Sequence, residues 1–389
     1  MSQAVSRPRI AGICFSRQYP NPAEPIRGTF VAEQVAATAH SVDWRVIAPL
    51  AWPQRSTVAP VPRSEVVDGV PVARPRVLML PRRIGWAGVA GEMARTARPD
   101  FDAAVADDAR FVHAHELYPS AAAARILAQR AGLPLVVSVH GSDLYTNLAK
   151  PRWRELVAST AAAAAAVICV SSALARDLVA ELGIDEGRVH VVPDTYDAAR
   201  FAFVDRPQRE AGAPVRLLTI GRLSAEKGVD VLLEALAALK GRVDVSARIV
   251  GDGAERARLH ERAAALGLSG TAEFLGALSG DALAAELAAA DLYCQPSRRE
   301  GFGVALVEAL ATGLPAVATD SGGPADIVTR RDGVLVAPGD ATALAEAIER
   351  AASSLESFDR AAIAAATLER FGPESVGARL AALYAEVAS

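Results

Sequence analysis

Leu217-Leu218-Thr219-Ile220-Gly221-Arg222-Leu223-Ser224-Ala225-Glu226-Lys227-Gly228 stands directly before a run that carries Val231, Leu232, Ala235, Leu236 and Leu239 at helical spacing. A short apolar run passes through glycine into a 3.6-residue period, so the stretch predicts strand, loop and helix in succession. Gly221 permits a tight turn at the strand end and Gly228 another before the helix. Arg222 and Lys227 therefore fall in one strand-to-helix loop, where two cations can meet a single anion. A diphosphate suits that place, because arginine offers a planar fork and lysine a compact charge. Taken alone, the same pair also describes two solvated loop cations.

Toward the carboxyl end the rhythm repeats. After Val215 to Ile220, the apolar runs Val245 to Val250, Glu273 to Leu275, Leu292 to Gln295, Ala316 to Thr319 and Val334 to Val336 are separated by alanine-rich helical stretches. That alternation predicts a parallel α/β sheet wound with helices, whose ligands bind beyond the carboxyl ends of the strands. One such strand-end loop reads Gln295-Pro296-Ser297-Arg298-Arg299-Glu300-Gly301-Phe302-Gly303 and leads into Val304-Ala305-Leu306-Val307-Glu308-Ala309-Leu310. A helix starting near Gly303 would present bare first-turn amides at the positive end of its dipole, an anion site. Glu300 precedes that helix and Glu308 lies inside it, roughly 7 Å along the axis at 1.5 Å per residue. Carboxylates on either side of a phosphate site suit the vicinal hydroxyls of a sugar or ribose. The ligand implied is a nucleotide sugar, although a glutamate pair eight residues apart is by itself no more than a loop acid and a surface helix residue.

The amino half follows the same pattern, with strands expected at Arg9 to Phe15, Trp44 to Ala48, Val70 to Arg74, Phe111 to Ala114, Leu135 to Val139, Val167 to Val170 and Val189 to Val192. Pro193, Pro207, Gly212 and Pro214 then cluster in a polar stretch without apolar period, as a linker does. The reading is two tandem doubly wound Rossmann-like domains, residues 1–200 and 201–389, with the last helix able to pack back on the first.

Length and composition agree. At 389 residues the chain exceeds one compact core, and 51% hydrophobic with 22% charged residues excludes disordered, collagen-like and disulfide-dense classes. A net charge of −4 leaves no global field for nucleic acid, though residues 1–200 carry 22 Lys and Arg against 19 Asp and Glu, and residues 201–389 carry 19 against 26. Cys14, Cys169 and Cys294 stand singly in apolar runs, which reads as reduced core thiols of a cytoplasmic protein. Ile10 to Phe15 reads as a first strand rather than a signal peptide. Leu156 to Ala175 lacks charge for twenty residues, but its alanines and serines describe a helix followed by a buried strand, not a membrane span.

Gly221-Arg222 with Lys227-Gly228, Val250-Gly251-Asp252-Gly253, Phe274-Leu275-Gly276, Pro296-Ser297 and the Glu300 to Glu308 spacing occur in order. With them the chain closely resembles the retaining glycosyltransferases of family 4, which have the GT-B architecture of two α/β domains facing a central cleft. The resemblance spans essentially the whole chain and is densest from Leu217 to Leu335. It implies a nucleotide-sugar-binding second domain in which Arg222 and Lys227 hold the diphosphate. Glu308 would take the ribose hydroxyls and Glu300 those of the donor sugar. Gly301, Phe302 and the amides of Gly303, Val304 and Ala305 would meet phosphate and sugar. The base would lie near Gly251 and Gly253 and along the backbone of Phe274 and Leu275. In the first, acceptor-side domain, Arg27-Gly28-Thr29-Phe30 resembles the family's glycine loop, with Gly28 bordering the diphosphate. Val139-His140-Gly141-Ser142-Asp143 resembles its His-Gly-x-Asp signature, which places His140 at the reaction centre.

The expected reaction is transfer of a sugar from a nucleoside diphosphate to an acceptor hydroxyl with retention, without cofactor or metal. His113 and His115 share one side of a strand end but lack a third ligand at metal-site spacing. Two departures from the family pattern are Arg27, where a second glycine is common, and Pro193-Asp194-Thr195, where Asn-Gly often follows the proline. The rivals are a nucleotide-sugar epimerase and a nucleotide-binding protein without turnover. A dehydrogenase is disfavoured because Gly251-Asp252-Gly253 does not continue as G-x-G-x-x-G. The acceptor is a glycan, a lipid-linked molecule or a small molecule. Residues 60–99, with Arg63, Arg74, Arg76, Arg82, Arg83, Arg95 and Arg98 among apolar residues, offer a face that could rest on an anionic cytoplasmic leaflet.

Overall fold

A computed structural model describes residues 9–52, 60–79, 85–141, 144–145, 148, 151–206, 209–210 and 212–389, with the side chain of Arg152 outside the description. Over these residues the apolar runs become parallel strands, because each is β-rich, short and buried on both faces. The chain divides into two units: Met1–Thr195 together with Pro373–Ser389, and Tyr196–Gly372. The carboxyl-terminal helix thus belongs to the first unit, and the division falls a few residues before the linker expected at 200.

In the first unit the strands are β1 (Ile10–Phe15), β2 (Val42–Ile47), β3 (Leu50–Trp52), β4 (Ser64–Val67), β5 (Val70–Ala73), β6 (Arg76–Leu78), β7 (Phe111–His115), β8 (Leu135–Val139), β9 (Ala166–Cys169) and β10 (Val189–Val191). Eight of them form one sheet in the order β10-β9-β8-β7-β1-β2-β5-β4. All neighbours in it are parallel except β4 and β5. That hairpin turns on Asp68 and Gly69, both at positive φ (49° and 81°), as a two-residue turn between right-twisted strands requires. β3 and β6 pair separately, with Trp52 opposite Leu78. Three strands therefore add to those expected: β3 and β6 are only three residues long, and β4 alternates without a strong apolar run.

Helices α1 (Thr29–Thr38), α2 (Val89–Ala106), α3 (Ala122–Ala131), α4 (Pro151–Ala163) and α5 (Ser172–Leu182) join these strands. The uncharged stretch from Leu156 is α4 followed by the buried β9, as its composition predicts.

The second unit holds β11 (Val215–Ile220), β12 (Val245–Val250), β13 (Ala272–Gly276), β14 (Leu292–Gln295), β15 (Ala316–Thr319) and β16 (Gly333–Val336). They form a parallel sheet ordered β13-β12-β11-β14-β15-β16. The order reverses at β11, so the loops after β11 and β14 flank the switch point where such sheets bind ligands. Its helices are α6 (Val229–Leu239), α7 (Arg256–Ala265), α8 (Gly280–Ala289), α9 (Val304–Ala311), α10 (Pro324–Ile327), α11 (Ala341–Ser353) and α12 (Arg360–Phe371). Helix α6 buries Val229, Val231, Leu232, Leu233, Ala235, Leu236 and Leu239, each large side chain contributing about 1.5–3 kcal/mol.

The terminal helix α13 (Pro373–Val387) completes the first unit. Gly377 meets α1 so closely that a Cβ there would stand 2.3 Å from Ala37 O. Tyr384 stacks on Phe111 at 4.8 Å and meets Trp44 edge-on at 5.5 Å. All three cysteines are buried and free, in keeping with core thiols.

Candidate functional site

The site residues expected in the second unit gather at the carboxyl ends of β11, β12, β13 and β14. The chain turns at Gly221, whose N–H donates to Val250 O at 3.0 Å. A Cβ on Gly251 would stand 1.9 Å from Gly221 O, and one on Gly253 would stand 2.3 Å from Leu223 O. Only glycine allows that approach. Leu223 N–H donates to Asp252 O at 2.9 Å and Glu255 N–H to Leu223 O at 3.0 Å, so the two loops form one backbone platform. Beside it the ladder shifts register: Ile249 pairs with Phe274 and Val250 with Gly276, which makes Leu275 a bulge residue. The Phe274 ring packs on the core and stacks on His260 at 4.2 Å, leaving its backbone as the part a ligand could use.

Arg222 is exposed and Lys227 half-buried. The lysine stem lies 3.7 Å from where a Gly221 Cβ would be, and its Nζ stands 2.5 Å from Glu300 Oε2. Lys227, expected on a diphosphate, and Glu300, expected on a sugar, thus hold one another. The same carboxylate oxygen accepts from Ser297 Oγ at 3.1 Å and Gln295 Nε2 at 3.3 Å. Its backbone is pinned by Glu300 N–H to Ser321 O and Gly323 N–H to Glu300 O, both 2.9 Å.

Behind the site lies the buried Tyr293. Burial first, then the charges of Glu300 and Glu308, raise its pKa well above the ordinary phenol value, and its hydroxyl lies 3.3 Å from Gln295 Oε1. Glu308 is half-buried on α9. Gly303 starts that helix at φ +113°, and a Cβ there would meet Gln295 Nε2 at 2.8 Å and Glu300 Cγ at 3.6 Å. The carboxylate stem therefore borders the first turn, whose amides at Val304 and Ala305 have no intrahelical acceptor. Gly301 and Phe302 link Glu300 to this turn. Phe302 is buried edge-on against Phe371 at 5.8 Å.

The cation loop and the glutamate loop are clamped together. Arg298 reaches Asp230 with two bonds of 2.7 and 2.9 Å, and its N–H donates to Glu226 O at 2.7 Å. Burial alone would raise the Asp230 carboxyl, but the Arg298 bonds and charge hold it below its usual range. Gly228 lies where a Cβ would come 2.0 Å from Pro296 O. Asp230 and Arg298 escape a reading along the chain because 68 residues separate them; the available signal was an acid in the first turn after Gly228.

The first unit brings a second group together. Gly28, at φ +77°, caps α1 and backs onto Gln18 O, 2.3 Å from any added Cβ. Phe30 on α1 lies 4.4 Å from the His140 ring, which follows β8. His140 Nε2 is 3.2 Å from His115 Nδ1 and its Nδ1 is 3.5 Å from Asp194 Oδ2. Asp194 also accepts from Gln34 Nε2 at 2.8 Å. Asp194 stands in the segment that departs from the family pattern, and Gln34 and Glu116 carry no motif. Glu116, buried at φ +67°, accepts from Arg17 Nε at 3.1 Å and from Gln18. Ser142 and Asp143 lie outside the described residues.

His113 bonds Ser138 Oγ and the Tyr384 hydroxyl, each at 2.8 Å, so its two nitrogens are engaged within the core. Among the described residues no group of three or more His, Cys, Asp or Glu is placed to hold a metal ion, and no helix is long and apolar enough to cross a membrane. The basic face expected at 60–99 loses Arg74 to the interior, while Arg95 and Arg98 stay exposed in surface ion pairs. Arg74 is buried against Glu65, Arg95 pairs with Glu92 and Arg98 with Asp102. Arg82 and Arg83 lie outside the described residues.

Comparison with known proteins identifies the family and the fold. The family described as Glycosyl transferases group 1 matches residues 203–367, and Glycosyltransferase Family 4 matches residues 32–200. TuaC of Bacillus subtilis, assigned as a glycosyltransferase of teichuronic acid biosynthesis, is 30% identical over 307 residues, 74% of this chain and 73% of that protein. A sucrose-phosphate synthase from Thermosynechococcus elongatus superposes with TM-score 0.79 at 18% identity, over 98% of this chain and 99% of its own. HepE from Anabaena, solved with UDP-glucose, superposes with TM-score 0.72 at 20% identity, over 96% and 99%. With two parallel α/β units, glycine loops at the strand ends and relatives of this kind, the chain belongs to the family 4 glycosyltransferases and has the GT-B fold.

Proposed function

We propose that this glycosyltransferase moves a sugar from a nucleoside-diphosphate sugar to an acceptor hydroxyl, with retention at the anomeric carbon and without a bound metal ion. The observation that carries the reading is the 2.5 Å contact of Lys227 Nζ with Glu300 Oε2, made beside the first turn of α9. A diphosphate arriving there would find a lysine, the nearby Arg222 and orphan amides, while the attached sugar would find a fixed carboxylate. As the glycosidic bond breaks, negative charge grows on the leaving diphosphate. Arg222, Lys227 and the helix start would stabilise it in the role a divalent ion plays elsewhere. Glu300, already held by three donors, suits hydroxyl recognition better than nucleophilic attack. The acceptor would then attack through an oxocarbenium-like state on the face the leaving group vacates. Binding of UDP-glucose by HepE supports the donor class, and nothing among the relatives supports an epimerase.

The test is a thermal-shift panel of uridine, guanosine and adenosine diphosphate sugars, since a ligand bound only by the folded state raises its stability. Product NMR then reads the anomeric configuration, with and without EDTA. One donor should stabilise the protein, the product should retain configuration, and turnover should survive the chelator. Arg222→Ala and Lys227→Ala should each lower kcat roughly 100-fold with folding intact. An inverted product, manganese-dependent turnover or binding without any transfer would overturn the corresponding part of the proposal.

A further inference from the structure

His140 is the one expected reaction-centre side chain in the first unit, and its ring is surrounded by groups whose donor and acceptor roles constrain one another. His140 Nε2 and His115 Nδ1 are 3.2 Å apart. Between two neutral imidazoles one nitrogen donates and the other accepts, so only two arrangements of the protons exist, and a doubly protonated His140 would have to donate to His115 as in the second. In the first, His115 Nδ1–H donates to His140 Nε2, and His140 carries its own proton on Nδ1, facing Asp194 Oδ2 at 3.5 Å. In the second, His140 Nε2–H donates to His115, which must then carry Nε2–H.

The surroundings separate the two. His115 Nε2 is buried and has no hydrogen-bond partner among the described residues. The second arrangement would bury a bare N–H donor there and turn the His140 Nδ1 lone pair toward a carboxylate, two unfavourable placements at once. The first leaves only an unoccupied acceptor at His115 Nε2 and turns an N–H toward Asp194. Burial, and then the neighbouring histidines, hold the pKa of His115 well below its ordinary value, so the ring is neutral. His113, locked by Ser138 and by Tyr384 of α13, lies 4.3 Å from the His115 ring and braces it.

We infer that His115 is a positioning residue for His140: its Nδ1–H fixes His140 as the neutral Nδ1–H tautomer, a hydrogen-bond donor whose lone pair is spent. His140 then has its lone pair spent on His115 and its N–H turned to Asp194, so it does not act as a general base in the reaction. The inference rests on the proposed function only for the place of His140 at the reacting centre.

Protein labelled with 15N in its imidazoles tests it, with the His140 signals assigned by comparison with His140→Gln. Long-range 1H–15N spectra of the wild type should show His140 protonated at Nδ1 and bare at Nε2. His115→Phe, which removes the donor, should release His140 into mixed tautomers. It should also lower kcat about tenfold, with the donor KM changing less than about twofold. His115→Asn, whose amide N–H stands near the lost Nδ1–H, should restore both readouts. Wild-type His140 in the Nε2–H form overturns the inference without recourse to any variant, and so does an unchanged tautomer in His115→Phe. Full turnover by His140→Ala, with the wild type in the Nδ1–H form, would instead remove His140 from the reacting centre and leave the tautomer assignment standing.

Discussion

At the scale of single residues, the pairing of Lys227 with Glu300 refines what each does for a ligand. In the free protein the lysine charge is neutralised by its neighbour at 2.5 Å. Glu300→Gln should therefore weaken binding of the intact donor while leaving the free nucleoside diphosphate bound as tightly or more so, because Lys227 is released to it. Glu308→Ala, on the ribose side, should weaken both by about 1–3 kcal/mol. Calorimetry with donor and free nucleotide distinguishes these patterns, and equal losses at Glu300 would remove its sugar-side role. The buried histidines carry a second expectation. Burial, and then the neighbouring His140, pull the pKa of His113 down to about 3, and His115 is shifted the same way. Below an unfolded value of about 6.5 the unfolded chain takes up protons that the folded unit refuses, so stability falls with pH across the window from 6.5 to about 3. His113 should cost about 2–3 kcal/mol by pH 4.5, and His115, shifted the same way, should add to the loss. Trp44, Trp52, Trp86 and Trp153 all lie in the first unit, so denaturant titration followed by tryptophan fluorescence reads that unit alone; a flat profile would contradict the buried-neutral assignment.

At the scale of elements, the short pair β3 and β6 bears on the acceptor. Trp52 and Leu78 stand opposite each other and are 56% and 51% exposed, an unusual placement for large apolar side chains on adjacent strands. The proposal that residues 60–99 rest on an anionic leaflet thereby gains apolar anchors, while Arg74 is lost to a buried ion pair and the exposed Arg95 and Arg98 are neutralised by Glu92 and Asp102. The expected binding is accordingly carried more by Trp52 and Leu78 than by net charge. Co-sedimentation with anionic vesicles at low salt should fall several-fold in Trp52→Ser with Leu78→Ser, and absence of wild-type binding would favour a soluble acceptor. The glycine-framed loops behave differently, because their geometry is imposed by backbone approach. Gly228 and Gly251 could be read as turn residues from the sequence, but their contacts with Pro296 O and Gly221 O come from other strands. No local pattern encodes that crowding.

At the scale of the whole molecule, residues 373–389 join the first unit and not the one that precedes them along the chain. Helix α13 buries Val376, Leu380 and Tyr384 in the first unit's core and supplies the hydroxyl that locks His113. Removal of residues 373–389 should therefore lower amide-exchange protection in β1, β7 and α1, with β11, β12 and α6 keeping theirs. Loss of protection in both units alike would show that the terminal helix supports more than the unit it packs in. The result is measurable by hydrogen exchange, which reports local opening element by element.

By itself the sequence determined the alternation of strand and helix, the two-unit plan and the identity of the loops that carry Arg222, Lys227, Glu300 and Glu308. Those features follow from apolar period and from glycine position, which act over a few residues. The uncharged run from Leu156 to Ala175 was legible for the same reason. Only the tertiary structure decided that Lys227 and Glu300 meet, that Arg298 and Asp230 clamp their loops, that Leu275 is a bulge and that Asp194 faces His140. Each joins residues distant along the chain, so its energy depends on strand order and register rather than on neighbouring residue types. The β4–β5 hairpin lies between these cases: Asp68-Gly69 marks its turn, but the weak apolar pattern of β4 conceals the strand until β5 supplies its partner.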